Sequence, residues 1–158
     1  MLIEIEEEKI EFKSEWFDFK DGVKLLIASA NKPSFNRALE LNGIQAEQEL
    51  NGYKEITDES AIKAKLGFNR SVAHLLLGWS GLIGKDKKPI EYSHQKSELI
   101  CTSSKQSFDI IVFVLAKAKE LRDQKNAVIE EEVGKSSSTT SKEASSGAKR
   151  KQPKSTKS

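Results

Sequence analysis

The segment LLLGWSGLIGKDKKPIEYS, residues 75–93, decides how the chain folds. An apolar run ends at Trp79, a short loop containing Pro89 follows, and Ser93 is a suitable N-terminal cap for the next helix. We expect a helix to end at Trp79, with this side chain as a large buried anchor, and Pro89 to make the exit of the loop rigid. The segment therefore predicts two helices held at a fixed angle, and it carries no residue pattern typical of catalysis.

A tight turn upstream of this segment predicts a β-hairpin. A β-prone run containing Trp16 and Phe17 precedes Asp21-Gly22, a pair that tolerates the positive φ of such a turn. We expect strands at Glu15–Lys20 and Val23–Ser29. A two-stranded hairpin is only marginally stable alone, so its apolar face has to pack on the helices that follow.

Capping and stop signals place the helices in the middle of the chain. A helix is predicted to begin at Pro33 or Ser34 and to end at Asn42-Gly43, with a second stop signal at Asn51-Gly52.

The next helix is predicted to begin at Thr57 or Asp58, with Ile62 and Leu66 on its apolar face. Gly67 either breaks this segment into two helices or lies inside one, and the sequence leaves both open.

The last two helices follow the central segment. Ser93 caps a short helix that contains Leu99 and Cys101. The final helix begins near Lys105 and is apolar nearly all round over Phe108–Ala116, so we expect that part to lie at the centre of the core. The predicted fold is α+β and mostly α, with an N-terminal β-hairpin, four to five helices and a disordered C-terminal tail.

The distribution of charge divides the chain into three parts. Residues 1–13 form a Glu-rich lead that we expect to be flexible, residues 14–133 form the folded body, and residues 134–158 form a Ser/Lys-rich tail. The tail has no aromatic residue and almost no aliphatic residue, so burial cannot offset the entropy of ordering it, and we expect disorder. Residues 135–158 carry seven Lys or Arg and one Glu, whereas the whole chain has a net charge of +2, so the body is acidic.

Residues that could carry chemistry are few. Cys101 is the only cysteine, which suits a reducing compartment, and its apolar neighbours predict a small buried side chain instead of a nucleophile. His74 and His94 stand twenty residues apart without other ligand residues at metal-binding spacing, and we expect them at a helix flank and facing solvent. Gly84-Lys85 lacks the other residues of a phosphate-binding loop.

These observations predict a protein without enzymatic activity, cofactor or metal. The carboxylates occur in runs, such as Glu130–Glu132, that are typical of solvated faces. The acidic N-terminus has no signal-peptide pattern, and the longest apolar run, Ile110–Ala116, is too short to cross a membrane.

From residue 71 to residue 100 the chain resembles the small tail assembly chaperones of long-tailed bacteriophages and prophages. Their pattern has a helix ending at a Trp, a W-x-G turn, a short loop, a Pro-apolar-aromatic-Ser bridge and a helix with Leu anchors. Here it is carried by Trp79, Gly81, Leu82, Asp86, Pro89, Ile90, Tyr92, Ser93 and Leu99. The resemblance extends over residues 16–124 and departs from the pattern in the loop GKDKKP, where relatives often have Asp-Gly before the Pro. We expect these residues to build the fold.

The resemblance implies a role in tail assembly. Such a chaperone coats the long tape-measure protein, helps to recruit the tail-tube protein, self-associates, acts in the host cytoplasm and is absent from the mature virion. Two alternatives remain open. The basic tail could serve a small nucleic-acid-associated accessory protein, although it lacks the aromatic residues that stack on bases; alternatively, the chain could be a minor structural protein of the tail.

Overall fold

The structure of the protein, a computed structural model, describes residues 1–50 and 56–124, without the side chain of Leu50. The predicted stop at Asn51-Gly52 and the predicted tail therefore lie outside the described residues. The elements are β1 (Ser14–Asp18), β2 (Lys24–Ala28), α1 (Pro33–Leu50), α2 (Asp58–Val72), a 3-10 turn (Ala73–Leu75), β3 (Leu76–Ser80), α3 (His94–Ser103) and α4 (Ser107–Gln124). The chain divides into a unit of residues 1–122 and a second unit of residues 123–158, of which only Asp123 and Gln124 are described.

The predicted β-hairpin is confirmed. β1 pairs with β2 in antiparallel register, from Ser14 opposite Ala28 to Asp18 opposite Lys24. In the turn, the Val23 N–H donates to the Lys20 carbonyl at 3.0 Å. Asp21 and Gly22 have φ values of 54° and 77°. Two successive positive φ angles match the right-handed twist of the strands, which is why a pair such as Asp-Gly is favoured there.

The main correction concerns Trp79, which lies on a strand and not at a helix end. α2 ends at Val72, a single 3-10 turn follows, and β3 then pairs antiparallel with β2. Trp79 stands opposite Leu25, and a bulge between Leu26 and Ile27 shifts the register. The apolar run after α2 thus completes a three-stranded sheet in the order β1-β2-β3.

A second correction concerns Asn42-Gly43, where we expected the first helix to end. α1 continues through both residues to Leu50. The Asn42 amide donates to the Ala64 carbonyl of α2 at 3.4 Å. A Cβ at Gly67 would lie 1.9 Å from Asn42 Oδ1, so a side chain there would displace the Asn42 amide from this helix contact. Gly67 lies inside one continuous α2, and Asn42 joins two helices instead of stopping one.

Both predicted helix caps are confirmed. The Thr57 side chain accepts a hydrogen bond from the Ser60 N–H at 3.1 Å, and the Ser60 hydroxyl accepts one from the Thr57 N–H at 3.3 Å. Ser93 accepts a hydrogen bond from the Lys96 N–H at 3.1 Å and so begins α3. Each cap satisfies amide groups that would otherwise lack a partner at a helix start.

The core lies between one face of the sheet and the helices. Its buried apolar residues are Leu25, Ile27, Ala28, Phe35, Val72, Ala73, Leu75, Leu76, Trp79, Cys101, Ile110, Ile111, Val114 and Ala118. α4 lies along this core with one stripe buried, and Phe113 meets Phe19 edge-to-face, with ring centroids 5.0 Å apart.

Two predictions about burial are wrong. Phe108 is 73% exposed and Val112 is 51% exposed, so the start of α4 is buried on one face only. Ile62, expected on the apolar face of α2, is 58% exposed. Both α2 and α4 carry more apolar residues than the described elements packed against them cover.

The predicted fold class is confirmed, since an N-terminal hairpin precedes a mostly helical chain. Within residues 1–50 and 56–124, no single helix has the length and hydropathy needed to cross a membrane; α3 and α4 meet those limits only as a pair bent by 117°.

Candidate functional site

The central segment is held to β3 by two aromatic side chains. The indole N–H of Trp79, a buried side chain, donates to the Ile90 carbonyl at 2.7 Å. Tyr92 meets the Trp79 ring edge-on, with centroids 4.8 Å apart, and its hydroxyl donates to the Leu76 carbonyl at 2.7 Å. The two aromatic side chains therefore hold the returning chain against β3 by hydrogen bonds at one end of each ring and apolar contact along its face.

The loop between them is a short hairpin of its own. The Ile90 N–H donates to the Leu82 carbonyl at 2.9 Å, and Ile83 and Pro89 form an isolated β-bridge. Lys87 takes a φ of 62°, which is the conformation that glycine adopts most easily. Where relatives often have the glycine of Asp-Gly, this chain has Lys87, which takes a left-handed conformation although it carries a side chain.

Gly81 connects β3 to this loop at a close approach of two backbones. Its φ is 88°, and a Cβ added there would lie 2.9 Å from the Gly22 carbonyl oxygen. A side chain would therefore push the loop away from the β1–β2 turn.

Where these two turns meet α3 and α4, they enclose an apolar groove of about 270 Å³. Its apolar lining is Phe19, Val23, Leu82, Ile83, Ile90, Ile100 and Ile110. At its rim the Lys20 ammonium lies 2.7 Å from the Asp109 carboxylate, and Ile83 is 63% exposed at its mouth. The groove can take up an apolar side chain of a partner, because its walls already exclude water from one side.

The remaining motif residues differ in their roles. Ser93 caps α3, Leu82 is half-buried against the core and Pro89 is exposed at the β-bridge. Leu99 is 56% exposed on α3, so the expected Leu anchor does not pack in the core. The motif therefore combines residues that close the fold with others, Pro89 and Leu99, that face solvent.

The two histidines, far apart in sequence, lie side by side. The His74 and His94 rings have centroids 4.6 Å apart, and His94 Nε2 is 3.4 Å from a Glu98 carboxylate oxygen. Burial, then the neighbouring His94 and Lys32, lower the pKa of His74 below its ordinary value of 6.5, and Glu98 opposes this. The sequence offered no signal for this contact, because it depends on how α3 packs beside the 3-10 turn.

No group of three or more His, Cys, Asp or Glu side chains that could hold a metal ion occurs in the part of the chain that the structure describes. Cys101 is buried, as predicted, and its burial raises the pKa of the thiol to about 12. The thiol is therefore protonated at neutral pH and unsuited to nucleophilic attack.

Comparison with known protein families assigns most of the chain to a family. The model of a family described as YdaY prophage protein matches residues 30–135, about two thirds of the chain. No curated protein and no solved structure matches the chain significantly. The matched range includes α1 to α4 and the loop over β3, and it begins after the β1–β2 hairpin.

Proposed function

We propose that this chain, which belongs to the YdaY prophage protein family, is a non-enzymatic chaperone of phage tail assembly. In this role it binds apolar helical stretches of the tape-measure protein and helps to recruit the tail-tube protein in the host cytoplasm. The resemblance of the central segment to tail assembly chaperones motivates the proposal, and the family membership agrees with a prophage origin.

The observation that carries the proposal is the apolar groove between the two turns and helices α3 and α4. Its walls come from four separate elements: Val23 beside the β1–β2 turn, Leu82 in the loop, Ile100 on α3 and Ile110 on α4. Because these elements already enclose the groove, we expect little binding free energy to be lost to ordering it. An amphipathic helix presenting a Leu, Ile or Phe side chain is the partner that such a groove fits.

The expected strength of this contact suits a chaperone. Burying one large apolar side chain contributes about 1.5 to 3 kcal/mol, which is weak binding for a single site. Many copies bound along one long helical protein add their contacts through effective concentration, while each copy still dissociates readily. A coat of this kind shields apolar surface and can later be replaced by tube subunits.

Variants of two isoleucines with similar exposure test the groove. Ile83 lies at its mouth and is 63% exposed, whereas Ile62 lies on α2 away from it and is 58% exposed. Binding of labelled fragments of the prophage's tape-measure protein is measured by fluorescence anisotropy with the full chain. We expect Ile83→Asp to weaken binding at least about tenfold, equal to about 1.4 kcal/mol, and Ile62→Asp to leave it unchanged.

Three results would oppose the proposal. Equal binding by Ile83→Asp and the wild type would move the site away from the groove. If no tape-measure fragment binds the wild-type chain, the chaperone function itself is wrong. Salt-dependent binding to DNA that disappears when residues 135–158 are deleted would favour the nucleic-acid accessory role, and recovery of the chain from purified virions would favour a structural one.

A further inference from the structure

The outer edge of β1 carries unpaired backbone groups. Within the described residues β1 pairs with β2 alone. The Ser29 N–H donates to the Lys13 carbonyl at 2.7 Å, and the Phe19 N–H donates to the Val23 carbonyl at 2.8 Å. Hydrogen-bonded positions alternate along an antiparallel pair, so the odd-numbered residues of β1 bond to β2. The N–H and C=O groups of Ser14, Trp16 and Asp18 therefore point away from the sheet.

A large apolar side chain lies beside this edge. Trp16 is 53% exposed on the face of the sheet opposite the core. Its Cη2 atom is 3.6 Å from the position of a Cβ on Gly78, two strands away, so the ring lies across the sheet. An unpaired edge with an exposed aromatic residue is a surface that pairs with another strand, and proteins usually protect such edges.

We propose that β1 of a second copy of this chain pairs with this edge, antiparallel, about a two-fold axis at Trp16. The strand is self-complementary in this register, because Trp16 meets the second copy's Trp16 and Ser14 meets the second copy's Asp18. The Ser14 hydroxyl of each copy donates to the Asp18 carboxylate of the other. Within β1 no two acidic residues stand directly opposite one another.

Charge on the core-side face of β1 favours the same register. Glu15 then stands opposite the second copy's Phe17, whose ring has the Lys117 ammonium 5.5 Å from its centroid in this structure. Glu15 is exposed and forms no ion pair within residues 1–50 and 56–124. The Lys117 ammonium already lies 3.1 Å from the Glu120 carboxylate, and pairing adds the Glu15 carboxylate as a second partner, twice in each dimer.

The interface is separate from the groove and from the family match. β1 precedes residue 30, where the matched range begins, and none of Ser14, Trp16 and Asp18 lines the groove. Self-pairing thus goes beyond the proposed function, and each can fail without the other.

Charge reversal with rescue tests the register. Sedimentation velocity of the full chain over a wide range of concentration should show a monomer–dimer equilibrium. We expect Glu15→Lys and Lys117→Glu each to weaken the dimer at least about tenfold, and the double variant to recover most of the loss. Glu47→Lys and Lys119→Glu, exposed on α1 and α4, are the matched controls and should have no effect.

A backbone variant tests the edge independently. Ser14→Pro removes an outward N–H that β2 does not use, so the circular dichroism spectrum should be kept while the dimer is lost. A chain that is monomeric at every concentration overturns the proposal, as does a dimer indifferent to Ser14→Pro or a double charge variant without recovery. If Ser14→Pro weakens only tape-measure binding in a monomeric chain, the edge serves that partner and self-pairing is wrong.

Discussion

The two edges of the three-stranded sheet are treated in opposite ways. At β3, the returning chain lies over the edge, fastened by the Trp79 N–H to Ile90 and by the Tyr92 hydroxyl to Leu76. At β1, no described element pairs with the outward groups of Ser14, Trp16 and Asp18. Each edge carries one tryptophan, buried at β3 and half-exposed at β1.

The difference shows what the central segment contributes. Its two aromatic residues fasten the returning chain to β3, a structural task that needs no catalytic group. Within residues 1–50 and 56–124, β2 is the strand that pairs with β1, and the outward backbone groups of β1 have no strand partner.

The largest expected effect compares the two tryptophans. Trp79→Ala should destabilise the protein by about 3 to 5 kcal/mol, because it leaves a cavity and removes the hydrogen bond to Ile90. Trp16→Ala should cost about 1 to 2 kcal/mol at concentrations where the chain is monomeric, because about half of its surface is already in water. Urea denaturation followed by circular dichroism measures both.

A folded, soluble Trp79→Ala protein that has lost only partner binding would contradict this comparison. It would make Trp79 an interface residue and the cover over β3 dispensable.

The second effect compares two glycines with positive φ where the turns meet. Gly81→Ala should lower the free energy of unfolding by about 3 kcal/mol. The alanine would be strained by its positive φ, and its Cβ would also clash with the Gly22 carbonyl oxygen. Gly22→Ala should cost about 1 kcal/mol, because a Cβ there meets nothing within 4 Å and only the strain remains. Equal midpoints of thermal unfolding for the two variants would show that the loop moves away from the β1–β2 turn at little cost in free energy.

The smallest effect isolates one hydrogen bond at the covered edge. Tyr92→Phe keeps the ring against Trp79 but leaves the Leu76 carbonyl without its hydroxyl donor, so we expect a loss of about 1 kcal/mol. Amide hydrogen exchange along β3 should accelerate in this variant more than along β1. No change in stability would mean that water replaces the hydroxyl, and that the ring contacts alone hold the cover in place.

Local signals made the hairpin and the caps predictable. Asp21-Gly22 sets a turn through its own backbone angles, and Thr57 and Ser93 cap helices through contacts three residues away. Such features depend on neighbours in sequence, and Asp-Gly turns and Ser or Thr helix caps have the same geometry in most proteins.

The errors have a different origin. Leu76–Ser80 continues the apolar character of α2, and a short apolar run cannot be divided into helix and strand by periodicity. Its strand conformation depends on β2, and the contact of Asn42 with Ala64 likewise depends on a second helix. The groove and the pairing of His74 with His94 were missed for the same reason, since each joins elements that are distant in sequence.

The late position of β3 in the chain also sets an order of events during synthesis. The 47 residues between Ala28 and Leu76 have to be made before β2 can receive its second neighbour. A hairpin such as β1–β2 forms within about 1 to 10 μs, far faster than the ribosome adds one residue. A nascent chain therefore presents both edges of its hairpin to solvent until Ser80 has emerged, and unpaired strand edges of this kind are prone to aggregation.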